Sequence, residues 1–186
     1  KAVFSLETAV NSIDKKLHNF CIKLSGAVLS SEDTKKLNVI MYSLRDYERI
    51  ADLAQNTVIK MQNIYATKEK ITNEAVGEMA KMLEVCYLAV KDTINMFLQR
   101  DLKFGASVNE KEEYIDKLER KAIKNHMNRT REGKCVGSAA VIYVDIISDI
   151  ERIGDHAVNI VEHYTYKDLV LTPEEEDLDL SKFIIE

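Results

Sequence analysis

The chain has 186 residues, 46% of them apolar and 31% charged, with a net charge of −5, six Gly and one Pro. Sheet-based folds need many turns, so this scarcity of breakers excludes a β-sandwich or a doubly wound architecture and predicts an all-α chain of a few long helices. The acidic balance lacks the basic stripe that nucleic-acid binding requires, and the longest apolar run, Ala139 to Val144, is far short of the ~18–20 residues of a membrane span.

Apolar residues recurring every three or four positions predict helices over 1–25, 32–66, 72–102, 107–131 and 136–166. Gly26 closes the first, and Ser30-Ser31-Glu32-Asp33 offers a cap with acidic first-turn residues for the second. The second helix carries the stripe Leu37, Ile40, Leu44, Tyr47, Ala51, and the third carries Val76, Met79, Leu83, Cys86, Val90. Gly105 followed by Ser107-Val108-Asn109-Glu110 reads as a capping box opening the fourth. Gly133 and Gly137 bracket the last long break, before the stripe Tyr143, Ile146, Ile150, Ile153, Ala157. Pro173 offers one more short helix start inside the acidic tail 167–186. The chain opens on Lys1 rather than Met, so it reads as part of a longer polypeptide. Cys21, Cys86 and Cys135 are odd in number and lack CxxC spacing, which predicts free thiols in a reducing compartment.

An internal repeat organises these helices. Asp46-Tyr47-Glu48-Arg49-Ile50-Ala51-Asp52-Leu53-Ala54-Gln55-Asn56 aligns with Asp149-Ile150-Glu151-Arg152-Ile153-Gly154-Asp155-His156-Ala157-Val158-Asn159, 103 residues later, with seven of eleven positions identical. Ile13-Asp14-Lys15 matches Ile115-Asp116-Lys117 at an offset of 102. The expected units are a first repeat over 1–66 with two helices, a second over 67–166 with three, and the tail. The counterpart of the helix at 72–102 would lie before Lys1. The first repeat therefore keeps part of its apolar face uncovered; in the isolated chain a homodimer or an exchanged helix is expected to cover it, and in a longer polypeptide the helix before Lys1 would fill it instead.

Glu48 with Asp52, Glu112 with Asp116 and Glu151 with Asp155 each stand four residues apart, which puts two carboxylates side by side on one helix face. Asp14 has only Val10 four residues before it, half a pair. Arg45, Arg49 and Arg152 stand close enough in sequence to make these runs ordinary solvated ion pairs. Metal binding is the competing reading, because coordination needs oxygen donors at fixed spacing and the spacing recurs. Oxygen-only donors suit Mg, Mn, Ca or Fe rather than a thiolate site. No His stands three residues after Glu48, Glu112 or Glu151, so the Glu-x-x-His pattern of di-iron bundles is missing. His156 directly follows Asp155 and points away from it, while His18, His126 and His163 read as surface or rim residues. No Ser/His/Asp set, Cys/His pair or Gly-rich phosphate loop appears, which points to a binding protein rather than an enzyme.

The stretch Asp149 to Ile160 resembles the signature helix of PhoU domains. His126-Met127-Asn128-Arg129 through Glu132-Gly133-Lys134-Cys135 resembles the variant at the C-terminus of bacterial sodium/phosphate cotransporters. Ile22-Lys23-Leu24-Ser25 with Leu29-Ser30-Ser31-Glu32-Asp33 is similar to the matching loop of the first repeat. The resemblance covers about 1–165. It implies a PhoU-like helical bundle of two related up-down three-helix repeats, the first helix of the first repeat being absent here. It also implies iron or zinc clusters held by Glu/Asp-x-x-x-Asp motifs. Carried over by position, it nominates Glu48, Asp52, Glu112, Asp116, Glu151 and Asp155, with Asp14 as a further candidate. Val10 and Ala51 depart from the pattern in the first repeat. The implied function is a regulatory domain at the cytoplasmic face of the bacterial plasma membrane. There it would control a sodium-dependent phosphate transporter, part of the same polypeptide, by metal-linked docking. The alternatives are a free-standing adaptor restraining a phosphate ABC transporter and its histidine kinase, or a structural bundle without metal.

Overall fold

Long amphipathic stripes with so few breakers leave the backbone little choice but helix. In a computed structural model describing residues 2–67, 71–135 and 137–165, α1 spans Ala2–Ser25, α2 Ser31–Thr67, α3 Asn73–Gln99, α4 Lys103–Arg131 and α5 Ser138–Thr165. Among the described residues there is no strand. The tail 167–186, with its predicted helix start at Pro173, lies outside the described residues.

Side-chain caps explain most of the boundaries. The Ser30 hydroxyl accepts the Asp33 N–H at 3.0 Å and donates to the Asp33 carboxylate at 2.6 Å, opening α2. Thr72 caps α3 by accepting the Ala75 N–H, and Arg100 closes that helix in the left-handed conformation at φ 51°. Gly133 and Gly137 take φ 69° and 73° in the break before α5, a conformation that costs glycine little. The start of α4 departs from expectation. The Asp101 carboxylate accepts the Lys103 N–H at 2.9 Å and begins the helix there, four residues before the predicted start. Ser107 is then already inside the helix, and its hydroxyl donates to Asp92 on α3 at 2.9 Å instead of capping.

α1 lies along α2, α2 packs most extensively on α5, and α3 and α4 pack on each other and on α5. α5 is the innermost element: Tyr143, Ile146, Ile147 and Ile150 are fully buried. Each such side chain contributes roughly 1.5–3 kcal/mol of transfer free energy, so this helix organises the core. In contrast, Cys21 is the one buried residue of α1. All three cysteines are free, as their number and spacing predict, and all three are buried. No described helix is long and apolar enough to cross a membrane.

Buried polar ties set the registers between helices. Lys60 on α2 pairs with Asp149 on α5 at 2.6 Å. Near the other end of the same helix pair, Asp46 lies 2.8 Å from His156 Nδ1 and 2.9 Å from His163 Nε2. Asp46 and Asp149, and likewise Lys60 and His163, are 103 residues apart, so the two ties occupy equivalent positions of the repeat. In the α3–α4–α5 half, Glu78 receives both terminal nitrogens of Arg129, at 2.8 and 3.1 Å, together with Asn125 and the Tyr143 hydroxyl. Burial pushes the Glu78 carboxyl up, but these donors outweigh it and hold the group below its ordinary range.

Candidate functional site

The helical period places Glu112, Asp116 and Glu119 along one face of α4, and Glu151 with Asp155 along one face of α5. The two faces meet beside Gly154. A Cβ on Gly154 would stand 3.1 Å from Ile115 Cδ1 and 3.9 Å from Glu112 Cγ, so glycine lets α4 come close where the carboxylates lie. The result is a seam of five acidic side chains.

Its electrostatics follow from that crowding. Burial, then the charges of Asp155, Glu119, Asp116 and Glu112, push the Glu151 carboxyl up to about 7. Burial and then Asp116 raise Glu112, Glu119 and Asp155 in the same direction. Opposing charge is slight: Arg120 Nη1 sits 3.1 Å from Asp116 on the exposed side, and Arg152 and His156 act on Asp155. Such a seam favours a proton or a cation.

The structure thus brings Glu112, Asp116, Glu151 and Asp155 together and adds Glu119, which pair spacing alone passes over. The signal was present in the sequence, because Glu119 follows Asp116 by three on the same face. The five side chains share a field rather than a formed coordination sphere. Among the described residues no three His, Cys, Asp or Glu side chains are arranged as a metal site. By chemistry the donor set fits a hard divalent cation, with oxygen atoms only and repulsion that a cation would relieve.

The first-repeat candidates are more neutralised. Burial and then Asp52 raise the Glu48 carboxyl, with Asp14 of α1 adding to the rise, so these three acids are neighbours. Arg49 and Arg45 counter them, and Arg49 Nε lies 3.9 Å from Glu48. Asp14 also faces His18 Nδ1 at 3.4 Å. Val10 leaves this trio without a fourth acid.

Two histidines read from sequence as rim residues are structural. His126 is buried and stacked on Tyr143, with ring centroids 4.8 Å apart. Burial and then the Arg129 charge hold its imidazole below the ordinary range, favouring the neutral ring. His163 is half-buried, stacks on Tyr42 and pairs with Asp46. The reason is the burial of Asp46, since a desolvated carboxylate requires donors and α5 supplies them.

A family model described as PhoU domain matches residues 79–163, which run from α3 through α5 and include the whole acidic seam. The chain is 32% identical over 135 residues to the phosphate-specific transport system accessory protein PhoU homolog 1 of Thermotoga maritima, an alignment covering 71% of this chain. It spans 57% of that relative, a little over half its length. With the PhoU homolog of Clostridium acetobutylicum the identity is 20% over 181 residues, covering 96% of this chain and 80% of the relative. Among solved structures, PhoU from Pseudomonas aeruginosa superposes with a TM-score of 0.74 at 20% identity, over 89% of this chain and 78% of that one. The phosphate transport system regulatory protein PhoU from Streptococcus pneumoniae gives 0.74 at 21%, over 95% and 81%. The chain carries a PhoU-like domain, and its all-helical fold matches the PhoU structures.

Proposed function

We propose that this chain is a PhoU-type regulator of phosphate transport that works by docking rather than by catalysis, at the cytoplasmic face of the membrane. The observation that carries the reading is the PhoU-domain match over 79–163, which coincides with the helices that form the acidic seam. The relatives are named as accessory proteins of phosphate-specific transport systems, which favours a free-standing adaptor over a domain fused to a sodium-dependent cotransporter. The fused arrangement rests on the resemblance of residues 126–135 and ranks second. We further propose that Glu112, Asp116, Glu119, Glu151 and Asp155 take up iron, zinc, manganese or magnesium, with Glu48, Asp52 and Asp14 as a weaker second position. A bound cation would neutralise the seam and hold α4 against α5, fixing the surface offered to the transporter.

Expression of the chain in cells lacking their own PhoU-type regulator tests the first part. Restored restraint of phosphate uptake, with transport itself intact, is expected. Unchanged uptake and unchanged response to phosphate, with the protein present, would overturn it. Elemental analysis of the purified chain tests the second part. Glu151→Gln with Asp155→Asn should lower bound metal, and an unchanged metal content would remove the seam assignment.

A further inference from the structure

The helix faces that carry the seam continue past the last carboxylate. On α4, Glu112, Asp116 and Glu119 lead at helical spacing to Ile123 and Met127; on α5, Asp155 and Glu151 lead to Ser148, Val144 and Val141. The two helices are antiparallel, since a Cβ on Gly105 would meet Val161 and one on Gly154 would meet Ile115. Ile123 and Met127 therefore lie opposite Val144 and Val141. Beyond the acids the groove is apolar and open, with Met127 52%, Val141 65% and Val144 36% exposed. A hollow of about 470 Å³ lies there against Glu119, Arg120, Ile123, Lys124 and Met127. Its outer rim is basic: Lys121, Lys124 and Arg131 are exposed and make no ion pair among the described residues.

This opening belongs to the repeat that has all three of its helices. α3 is held on the far side of α4, through Lys111, Asn125 and Arg129, and leaves the groove clear. The first repeat has no counterpart of it. The related residues there are Cys21, Ser25, Asn38 and Met41, with His18 and Ile22 in place of Arg120 and Lys124.

The groove calls for a segment with apolar side chains and negative charge, and this chain carries one. Residues 167–186 hold seven acids against two lysines, and Glu174-Glu175-Glu176-Asp177 is followed by Leu178, Leu180, Phe183, Ile184 and Ile185. The reach agrees. Val161, one turn before the end of α5, lies against Gly105 at the start of α4. Arg120 and Lys124 stand 15 and 19 residues along α4 from Gly105, about 22–29 Å at about 1.5 Å per residue. Nine residues lead from Thr165 to Glu174, and extended they span about 30 Å. The tether also sets an effective concentration of order millimolar, so contacts too weak to hold separate chains suffice.

We propose that the α4–α5 groove beyond the acidic seam is the docking site of the chain's own acidic segment 174–185. Its carboxylates meet Lys121, Lys124 and Arg131, and its apolar side chains meet Ile123, Met127, Val141 and Val144. A docked segment covers this face, so any partner of similar chemistry must displace it. The docking depends neither on the phosphate-transport reading nor on a bound metal.

A nitroxide label on Ser181→Cys in the 186-residue chain reads the contact, because the native Cys21, Cys86 and Cys135 are buried. Paramagnetic broadening of amide signals is expected at 120–127 and 141–148, and not at the repeat-related 18–25 and 38–45. Lys124→Glu with Arg131→Glu should abolish most of it, and so should Glu175→Lys with Glu176→Lys. The second pair lies outside α1 to α5, so it carries the test if the first pair loses helicity. Combining both pairs should restore the broadening, because the charges are then exchanged rather than removed. Absence of broadening in the parent chain, or broadening that survives both pairs, overturns the proposal. So does broadening of an unlabelled, isotope-enriched chain mixed with the labelled one, which would assign the groove to the tail of a second copy.

Discussion

Replacing Glu151 with Gln should stabilise the protein at neutral pH and above, the reverse of what altering a half-buried residue usually does. Burial and four neighbouring carboxylates raise this group from 4.5 to about 7 in the fold. Between those values the folded chain keeps a proton that the unfolded chain has released. The stability linked to the group is therefore complete below pH 4.5 and is lost as pH rises through about 7. Taken at face value the shift corresponds to about 3 kcal/mol, and contact of the carboxyl with water reduces this to about 1–1.5 kcal/mol. Gln keeps the shape without the charge, so at pH 8 the variant should melt about 2–5 °C above the wild type, and near pH 4.5 the two should coincide. Calorimetry of both proteins across this range is the assay. The difference curve is the quantity to read, because His126 acts in the opposite sense: its lowered imidazole loses stability as pH falls below 6.5. Glu78 and Asp92, both held below the ordinary range, lose stability only at more acidic pH. A Gln variant no more stable than wild type at pH 8, or a difference that persists undiminished to pH 4.5, would refute the reasoning. A divalent cation that binds the seam should raise the wild-type melting temperature and narrow the gap.

Three further perturbations probe the packing. Lys60→Met leaves the buried Asp149 carboxylate without its 2.6 Å partner and should cost about 2–4 kcal/mol in urea denaturation at pH 7. Arg129→Met strands Glu78 among α3, α4 and α5 and should cost about 3–5 kcal/mol, with the loss shrinking in acid as Glu78 protonates. Gly77→Ala and Gly105→Ala should move stability in opposite directions. A Cβ at 77 meets nothing within 4 Å, so helix propensity adds about 0.5–1 kcal/mol there. A Cβ at 105 would stand 2.9 Å from Val161 Cγ1, and overpacking of about 1–3 kcal/mol outweighs the same propensity gain.

Helix content and most helix ends were legible in the chain because the 3.6-residue period and the caps act locally: Ser30 opens α2 where its side chain reaches a nearby N–H group. The carboxylate pairs at 48/52, 112/116 and 151/155 were legible for the same reason, since i and i+4 share a face on any helix. The doubled motif likewise announced that Asp46 and Asp149 are equivalent positions. What each face meets is not local. Ser107 reads as a cap until α3 places Asp92 within reach of its hydroxyl, and His126 and His163 read as rim residues until Tyr143 and Asp46 close over them. Glu119 shares a face with Asp116 by its spacing, but only the packing of α4 on α5 brings its charge to Glu151, whose carboxyl is raised by burial and by charges on two helices. Periodicity specifies which side chains a helix offers together. Desolvation and the approach of a second helix decide which of them become a core, a buried ion pair or a cluster of charge.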